Sequence, residues 1–306
     1  MKKQQGERID NLSQNLRLQS VFFIFLLKKV KQSERLQLQK NILERYAKNG
    51  RKLPRRATQD PYAIHISEVM SQQTQVDRVI PYWKRRMEEI PNYEALAQLP
   101  KAELLSHWSG LGFNSRALRL QNCAQEVVNR YQGQLPQDKE LLLTLPGIGP
   151  YTASAICAFA WNLPEPVIDT NIRRVLIFLL KLDEGISLQE LEKEAKKLIP
   201  EGRSRERHNA LMDYGATQLT ARKTKIKSLG KQSKFEGSDR EVRGWILKQL
   251  TGNARPCHAE QDHEGKKTLQ LKPIKEQFPH KAVEKIIEGM QQEHLIVYQE
   301  GNVRIE

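Results

Sequence analysis

The chain has 306 residues, and its 50 Lys and Arg against 36 Asp and Glu give a formal net charge of +14. With 39% hydrophobic residues, 17 Gly and 14 Pro, it is neither collagen-like nor of low complexity nor wholly disordered. The length suggests two domains, and the charge indicates either a polyanionic partner or simply a basic, soluble surface.

Residues 1–35 are interpreted as a basic, Gln-rich extension with one apolar patch. The patch, Val21–Leu27, is seven residues long, whereas a membrane span needs about twenty. It begins after a mostly polar stretch and has no small-residue cleavage site behind it, so it is a poor signal peptide. An anchor helix and a floppy tail both remain open, and no membrane association is predicted.

Residues 36–219 are predicted to form an all-α domain. Apolar residues recur at helical spacing, as at Val76 and Ile80, and no run alternates apolar and polar residues over the length of a strand. Short loops between helices indicate a helical domain rather than a sheet. Helix breaks are expected at Asn49-Gly50, Asp60-Pro61, Pro91-Asn92, Gly110–Gly112 and Pro136.

The segment 220–240 is strongly basic, with seven Lys and Arg against two acids. It is either a solvated linker, which its composition favours, or a strap that follows a phosphate backbone. Residues 241–306 then predict three helices, EVRGWILKQL, LKPIKEQF and HKAVEKIIEGMQQEHL, and two short strands around a turn at Glu300–Asn302. That order is typical of a winged helix, a small α+β domain that binds DNA or another protein.

The segment Leu145–Gly149, LPGIG, lies between two predicted helices. Gly147 and Gly149 would allow a tight turn and a close approach of the backbone to a ligand, and Pro150 suits the first turn of the next helix. The free N–H groups at that helix start favour an anion, which in a basic chain indicates a DNA phosphate. An ordinary hairpin between two helices is the alternative.

Asp169 follows this hairpin by about 20 residues and precedes an apolar helix. Taken alone, it would be a helix N-cap worth about 1 kcal/mol. Together, hairpin and aspartate resemble the helix-hairpin-helix DNA glycosylase superfamily, whose motif is a hairpin, a Gly-Pro-rich turn and an aspartate. The turn is degraded here to Asn162–Pro166.

Four further segments resemble the adenine-specific (MutY-type) branch of that superfamily, and the resemblance covers about residues 38–220. It implies a bilobed domain and a base excision repair enzyme that flips adenine, mispaired with guanine or 8-oxoguanine, out of duplex DNA and hydrolyses its N-glycosidic bond. Mismatched double-stranded DNA is the implied partner, and we expect a monomer. The segments are Asp60–Tyr62, Ser67–Val76, Gly110–Arg116 and Met212–Ala216.

The resemblance assigns catalytic roles to four residues. Adenine leaves only when a ring nitrogen is protonated, and the sugar then becomes positively charged, so an acid and an anion are needed. Glu68 is the implied acid, and burial on its apolar helix would favour the protonated carboxyl. Asp169 is the implied oxocarbenium stabiliser or nucleophile, kept ionised at a helix N-terminus. Tyr151 assists and Asn171 supports the aspartate and a water.

Tyr151 stands where bifunctional relatives carry a catalytic lysine, which implies a monofunctional enzyme without a Schiff base. The resemblance also implies DNA contacts. Gln72, Gln73 and Thr74 belong to a segment that wedges into the duplex, and Phe113 or Asn114 supplies a second wedge. Arg116, Arg173 and Arg222 are candidate phosphate contacts.

The chain departs from the family pattern in its cysteines, which stand at 123, 157 and 257. Three widely spaced Cys indicate a reducing compartment, here the cytoplasm (the nucleoid in a bacterium). They cannot supply the four thiolates of the iron–sulfur cluster that the family usually carries. We therefore predict no cofactor and no metal, with the basic segment in place of the cluster. Cys257, His258 and His263 are too few for structural zinc and favour a polar loop.

Other departures lie beside the expected site. The family's Leu-Pro-Trp-Arg reads Leu53–Arg56 here, so the aromatic residue is lost at Arg55 while Arg56 keeps the base-pocket position. Ser71 replaces a leucine, and the usual C-terminal domain that reads 8-oxoguanine is missing. These changes predict altered or weakened activity. A mismatch thymine or uracil glycosylase and a non-catalytic lesion-binding protein remain the alternatives.

Overall fold

A computed structural model describes residues 32–227, 234–262 and 265–305. These residues form a helical body, residues 32–227, and a small α+β unit, residues 234–305. The predicted fold class, a mostly helical glycosylase-like domain followed by a small winged-helix-like domain, is confirmed. The apolar patch Val21–Leu27 and most of the predicted extension lie outside the described residues.

The body consists of helices of varied length joined by short loops. A 3-10 turn, Pro54–Arg56, lies between the first two helices. The helices are α1 (Gln32–Asn49), α2 (Pro61–Ser71), α3 (Val76–Glu89), α4 (Tyr93–Gln98), α5 (Lys101–Trp108), α6 (Ser115–Tyr131), α7 (Lys139–Leu143), α8 (Pro150–Ala160), α9 (Thr170–Leu180), α10 (Leu188–Lys196), α11 (Ser204–Thr217) and α12 (Ala221–Thr224).

The predicted helix breaks coincide with capped helix ends. Asp60 accepts hydrogen bonds from the backbone N–H groups of Tyr62 and Ala63 at the start of α2, and Asn92 accepts one from Ala95 at the start of α4. Such side chains satisfy N–H groups that have no partner within the helix. The boundaries could therefore be predicted from local chemistry.

Two helices, α2 and α8, form the centre of the body and pack against each other. α2 is buried from Tyr62 to Met70 and α8 from Thr152 to Ala160. A helix that is buried on nearly every face must lie inside the fold, and each fully buried aliphatic side chain contributes about 1.5–3 kcal/mol. The packing of α2 on α8 holds their polar side chains in a fixed relative position.

His208 on α11 anchors the segment that leads to Asp169. Its Nε2 accepts a hydrogen bond from the backbone N–H of Val167 at 3.0 Å, and its Nδ1 lies 2.7 Å from the carbonyl oxygen of Ser204. The ring is therefore neutral, with its proton on Nδ1. Burial, reinforced by the adjacent Arg207, lowers the pKa of His208 to about 3.

A second buried histidine, His65, lies on α2. Its Nδ1 is 3.0 Å from the hydroxyl of Tyr93, whose ring also packs edge-on against that of Tyr62. Burial lowers the pKa of His65 to about 4. Both histidines thus belong to the core in their neutral form.

The C-terminal unit contains helices and a sheet with strand order β1-β2-β4-β3, in which all neighbouring strands are antiparallel. Its elements are α13 (Asp239–Leu250), β1 (Glu260–Gln261), β2 (Lys267–Gln270), α14 (Leu271–Gln277), α15 (Val283–Gln292), β3 (Val297–Gln299) and β4 (Asn302–Arg304).

The three helices and the terminal hairpin agree with the sequence prediction, including the turn, where Gly301 has a φ of +79°. The sequence prediction missed β1 and β2. β2 is four residues long and buries fully only Leu269, which pairs with Val303. A strand with one buried position has no recognisable alternation. The strand becomes stable only because β4, far along the chain, lies beside it.

The C-terminal unit contacts the body directly. α13 packs against α5, and the amide of Asn253 donates a hydrogen bond to the hydroxyl of Ser106 at 3.0 Å. Within the basic segment between them, residues 228–233 lie outside the described residues. Across the described ranges, we find no helix with both the length and the apolar character that a bilayer crossing demands.

The two buried histidines predict an acid-sensitive fold. Their pKa values in the folded chain, about 4 and about 3, lie below the unfolded value of about 6.5. As the pH falls below about 6.5, the unfolded chain binds protons that the folded chain does not. We expect the free energy of unfolding to fall by about 1 kcal/mol per pH unit for each histidine between pH 6.5 and 5.

Urea denaturation at several pH values measures this slope. In His65→Gln the side chain can still hydrogen-bond to Tyr93 but cannot be protonated, so the part of the slope that His65 contributes should disappear. His280→Gln, which changes an exposed histidine of the C-terminal unit, should leave the slope as it is. An unchanged slope in His65→Gln would contradict the assignment.

Candidate active site

Glu68 and Tyr151 meet at the contact between α2 and α8. Glu68 is 4% exposed, and its Oε2 accepts a hydrogen bond from the Tyr151 hydroxyl at 2.9 Å. Burial raises the pKa of Tyr151 well above its usual value, and the nearby negative charges of Glu68 and Asp169 add to this effect. Tyr151 therefore remains a protonated hydrogen-bond donor at neutral pH.

Arg55 donates a hydrogen bond to the other carboxylate oxygen of Glu68. Its Nη1 donates to Oε1 of Glu68 at 2.9 Å and to the hydroxyl of Ser67 at 3.2 Å. Sequence reasoning missed this residue because Arg55 appeared only as a lost aromatic side chain. The sequence signal was the charge itself, since a cation replaces a neutral ring next to a carboxylate-bearing helix.

Arg56, predicted to occupy the base pocket, pairs with a different carboxylate. Its two Nη atoms lie 3.0 and 2.8 Å from the oxygens of Asp213 on α11, and Arg51 donates to the same carboxylate through its backbone and side chain. Burial opposes ionisation of Asp213, but these hydrogen bonds outweigh it and lower its pKa. Arg56 lines the pocket at Glu68, while Arg55 makes the direct contact.

A small pocket beside Glu68 opens partly to solvent. It combines apolar walls with charged groups from four separate segments of the body. Six of its lining residues are Arg55, Ser67, Glu68, Phe159, Arg205 and Met212.

Asp169 is the N-cap of α9, as its sequence context predicted. It accepts hydrogen bonds from the backbone N–H of Ile172 at 2.6 Å and from the side-chain amide of Asn171 at 3.2 Å. Arg174 holds that amide in turn, through a 2.8 Å bond to its oxygen. The carboxylate therefore lies at the positive end of a helix dipole. The structure thus brings Asn171 to Asp169.

The predicted hairpin turn joins α7 to α8. Gly147 has a φ of +77°, and a Cβ there would lie 3.0 Å from the Cβ of Arg119, so this position requires glycine. Gly149 differs from the prediction, because its φ of −91° is accessible to any residue. No atom would lie within 4 Å of a Cβ at Gly149, which leaves the start of α8 open to an approaching group.

The two predicted wedge segments form adjacent exposed loops. Gln72 ends α2, Gln73 is exposed with a φ of +54°, and the hydroxyl of Thr74 bonds to the carbonyl of Gln72. In the second loop Phe113 is 36% exposed with a φ of +49°. Asn114 precedes α6 without capping it.

Arg116 joins these two loops and is not free to bind a phosphate. Its Nη1 donates to the carbonyl oxygens of Val69 and Gln72, both at 2.7 Å. Its Nη2 donates to those of Leu111 and Gly112. The side chain is buried and burial lowers its pKa to about 10. The prediction of a phosphate contact is therefore wrong for Arg116, which positions both loops from inside.

The other two arginines that were predicted to contact phosphate differ in their exposure to solvent. Arg173 is buried and donates to the carbonyl oxygen of Glu184, so it has a structural role and the prediction is corrected. Arg222 lies exposed on α12 and remains available. Ser71, which replaces a leucine beside the first loop, has a buried hydroxyl that makes no hydrogen bond with the described residues.

The thiols do not fit a four-thiolate iron–sulfur cluster. Cys123 and Cys157 are buried on α6 and α8, and Cys257 is exposed in the C-terminal unit. A cluster of this kind needs four converging thiolates, and the chain has three Cys. Among the described residues, no group of His, Cys, Asp and Glu forms a metal site. His258 packs near the ring of Trp245, and His263 lies outside the described residues.

Comparison with known proteins places this geometry in context. Residues 66–201 match the model of the HhH-GPD superfamily base excision DNA repair protein. An adenine DNA glycosylase of Mycolicibacterium smegmatis is 36% identical over 236 residues, which cover 70% of this chain and 80% of that protein. The mouse (Mus musculus) adenine DNA glycosylase is also 36% identical, over 71% of this chain and 46% of its own length.

Two solved structures share the fold. A thermostable thymine-DNA glycosylase is 29% identical with a TM-score of 0.59, over 62% of this chain and 90% of that one. Endonuclease III, in a non-covalent DNA complex, is 22% identical with a TM-score of 0.57, over 63% of this chain and 89% of that one.

The position of Arg116 predicts a large loss of stability on its removal. In Arg116→Met several buried carbonyl groups lose their donor, so we expect the free energy of unfolding to fall by about 3 kcal/mol or more. Arg116→Lys should recover only part of the lost free energy of unfolding, because an ammonium cannot reach both loops as a planar guanidinium does. Arg119→Met, at an exposed arginine on the same helix, should stay within about 0.5 kcal/mol of the parent in urea denaturation.

Proposed function

Since this chain belongs to the adenine DNA glycosylase family within the HhH-GPD superfamily of base excision DNA repair proteins, we propose that it excises adenine mispaired with guanine or 8-oxoguanine. It is a DNA glycosylase, and the bond it hydrolyses joins the base to C1′ of the deoxyribose. The observation that carries the proposal is the hydrogen-bonded pair of Glu68 and Tyr151 beside the pocket.

In the proposed mechanism Glu68 donates a proton to a ring nitrogen of the extruded adenine. The bond between base and sugar then breaks, its electron pair goes to the base, and positive charge develops on the sugar. Tyr151, which stays protonated, keeps the carboxyl of Glu68 in place through its 2.9 Å hydrogen bond. General acid catalysis of this kind contributes about 100- to 10,000-fold in rate.

Asp169 stabilises the positive sugar in this scheme. Its carboxylate is oriented by the backbone N–H of Ile172 and the amide of Asn171, so it needs no reorganisation as charge develops. Water then adds to C1′ and gives its proton to the carboxylate of Glu68, which regenerates the acid. A tyrosine at position 151 cannot form a Schiff base, which favours hydrolysis without strand cleavage.

The wedge loops and the hairpin supply the proposed contacts with DNA. Gln73 and Phe113 are exposed at the tips of two loops that Arg116 holds together, a placement suited to filling the space of an extruded base. The open start of α8 at Gly149 offers backbone N–H groups to a phosphate. Extrusion costs a few kcal/mol, which a rigid pair of wedges would help to offset.

We further propose that the basic segment 220–240 holds DNA without an iron–sulfur cluster. Its described part has exposed lysines at 223, 225 and 227 on either side of Ile226, which is 7% exposed. The buried isoleucine attaches the segment to the body while the lysines remain at the surface. We take the enzyme to be a cytoplasmic monomer that requires no cofactor.

Mismatch thymine excision is the second candidate activity. It is favoured by the likeness to a thermostable thymine-DNA glycosylase at 29% identity. The family match at 36% identity favours adenine. A panel of duplexes with A:G, A:8-oxoguanine, T:G and U:G pairs separates the two.

A Glu68→Gln variant tests the proposed acid. The amide is nearly isosteric but cannot give up a proton, so we expect adenine release from A:G and A:8-oxoguanine duplexes to fall about 100-fold or more while duplex binding survives. Single-turnover kinetics measure adenine release, and a gel-shift titration measures duplex binding. Glu140→Gln, at an exposed glutamate of α7, should react at the parental rate. Normal excision by Glu68→Gln would overturn the assignment.

The lysines of the basic segment predict a salt effect. With Lys223, Lys225 and Lys227 changed to Ala, the slope of log binding constant against log salt should become less steep by about one for each lysine. A control that removes the same charge changes three exposed lysines of α10 and its end, Lys193, Lys196 and Lys197. Equal slopes for the two triple variants would argue against a DNA contact at this segment.

A further inference from the structure

The ion pair between Arg55 and Glu68 gives the proposed acid an unusual neighbour. Resting on the proposed function, we propose that Arg55 is a positioning residue that orients Glu68 and restricts its protonated form to lower pH. Arg55 stands where the family resemblance places an aromatic residue, so this control is a property of this chain.

The contact is short and buried. Nη1 of Arg55 lies 2.9 Å from Oε1 of Glu68, and the two side chains are 11% and 4% exposed. Nη1 also donates to the hydroxyl of Ser67, the residue before the glutamate on α2. A charge-assisted hydrogen bond in such a dry site is stronger than a surface ion pair and favours the ionised carboxylate.

Arg55 differs from the other buried arginines of the site in what holds it. Arg56 is fixed by both oxygens of Asp213, and Arg116 by backbone carbonyls. Nε of Arg55, like that of Arg56, is buried and makes no hydrogen bond with any described residue. Among the described residues the one ion pair of Arg55 is with Glu68, and its other hydrogen bond is to the hydroxyl of Ser67.

Other charged groups near Glu68 are already engaged. Arg205 lines the pocket, but its guanidinium donates to the carbonyl oxygens of Phe159 and Ala160. Arg56 is paired with Asp213 as described, His65 on the same helix is neutral because burial lowers its pKa to about 4, and Tyr151 from α8 is an uncharged donor. The negative charge of Asp169 helps to raise the pKa of Tyr151. Arg55 is thus the cation in direct contact with the carboxyl.

Two opposing effects on proton donation follow from this arrangement. After the proton has moved to the base, Glu68 is a carboxylate again, and Arg55 stabilises that product of the transfer. The same stabilisation lowers the fraction of Glu68 that is protonated at neutral pH. Arg55 should therefore raise the maximal rate while moving the loss of activity at alkaline pH to a lower value.

The pH dependence of single-turnover adenine release from an A:G duplex tests this in Arg55→Gln and Arg55→Lys. In Arg55→Gln we expect the alkaline loss of activity to move upward by about one to three pH units and the maximal rate to fall. Arg55→Lys keeps the charge and should remain within about half a unit of the parent. Arg130→Gln, which removes an exposed arginine at the end of α6, should not change the profile.

A second measurement does not require catalysis. The carboxyl carbon of Glu68, followed by ¹³C NMR in glutamate-labelled protein without DNA, should titrate at higher pH in Arg55→Gln than in the parent. Identical midpoints would overturn the role of Arg55 whatever the substrate is. Release of thymine but not adenine by the parent enzyme would instead overturn the proposed function, and the NMR comparison would still decide the role of Arg55.

Discussion

A buried carboxylate is the constraint around which the proposed site is organised. Glu68 is 4% exposed on a helix that is buried from Tyr62 to Met70, and a polar group in such a place is costly unless it is hydrogen-bonded. Tyr151 and Arg55 supply the donors from two other segments. The packing of α2 on α8 and the position of the 3-10 turn must satisfy this requirement together, which produces the pocket where the chemistry is proposed.

Buried polar side chains also hold elements in place farther from the pocket. Arg116 fixes two exposed loops by donating to their carbonyl groups, and His208 fixes the approach to Asp169 through the backbone of Val167. Neither residue touches the proposed substrate, yet both hold the elements that would. Rigid support of this kind is what a site needs when its groups must be in place before charge develops.

Two departures from the family pattern alter charge and leave the fold in place. Arg55 adds a cation at the pocket, and the basic segment 220–240 adds five net positive charges, seven minus two. The helical body still resembles solved glycosylases over most of its length. A scaffold held by apolar packing tolerates such changes because its core does not depend on them.

Local signals in the chain were enough to predict the helical class, the helix ends at Asp60 and Asn92, and the terminal hairpin. The roles of Glu68, Tyr151 and Asp169 came from the family resemblance and stay predictions. Caps, breaks and short motifs act over a few residues, so they can be read directly. Local signals could not show which of the neighbours Arg55 and Arg56 faces Glu68. They also could not show whether Arg116 points inward or whether β2 forms at all. Each depends on segments 13 to about 160 residues apart that meet only when the chain folds.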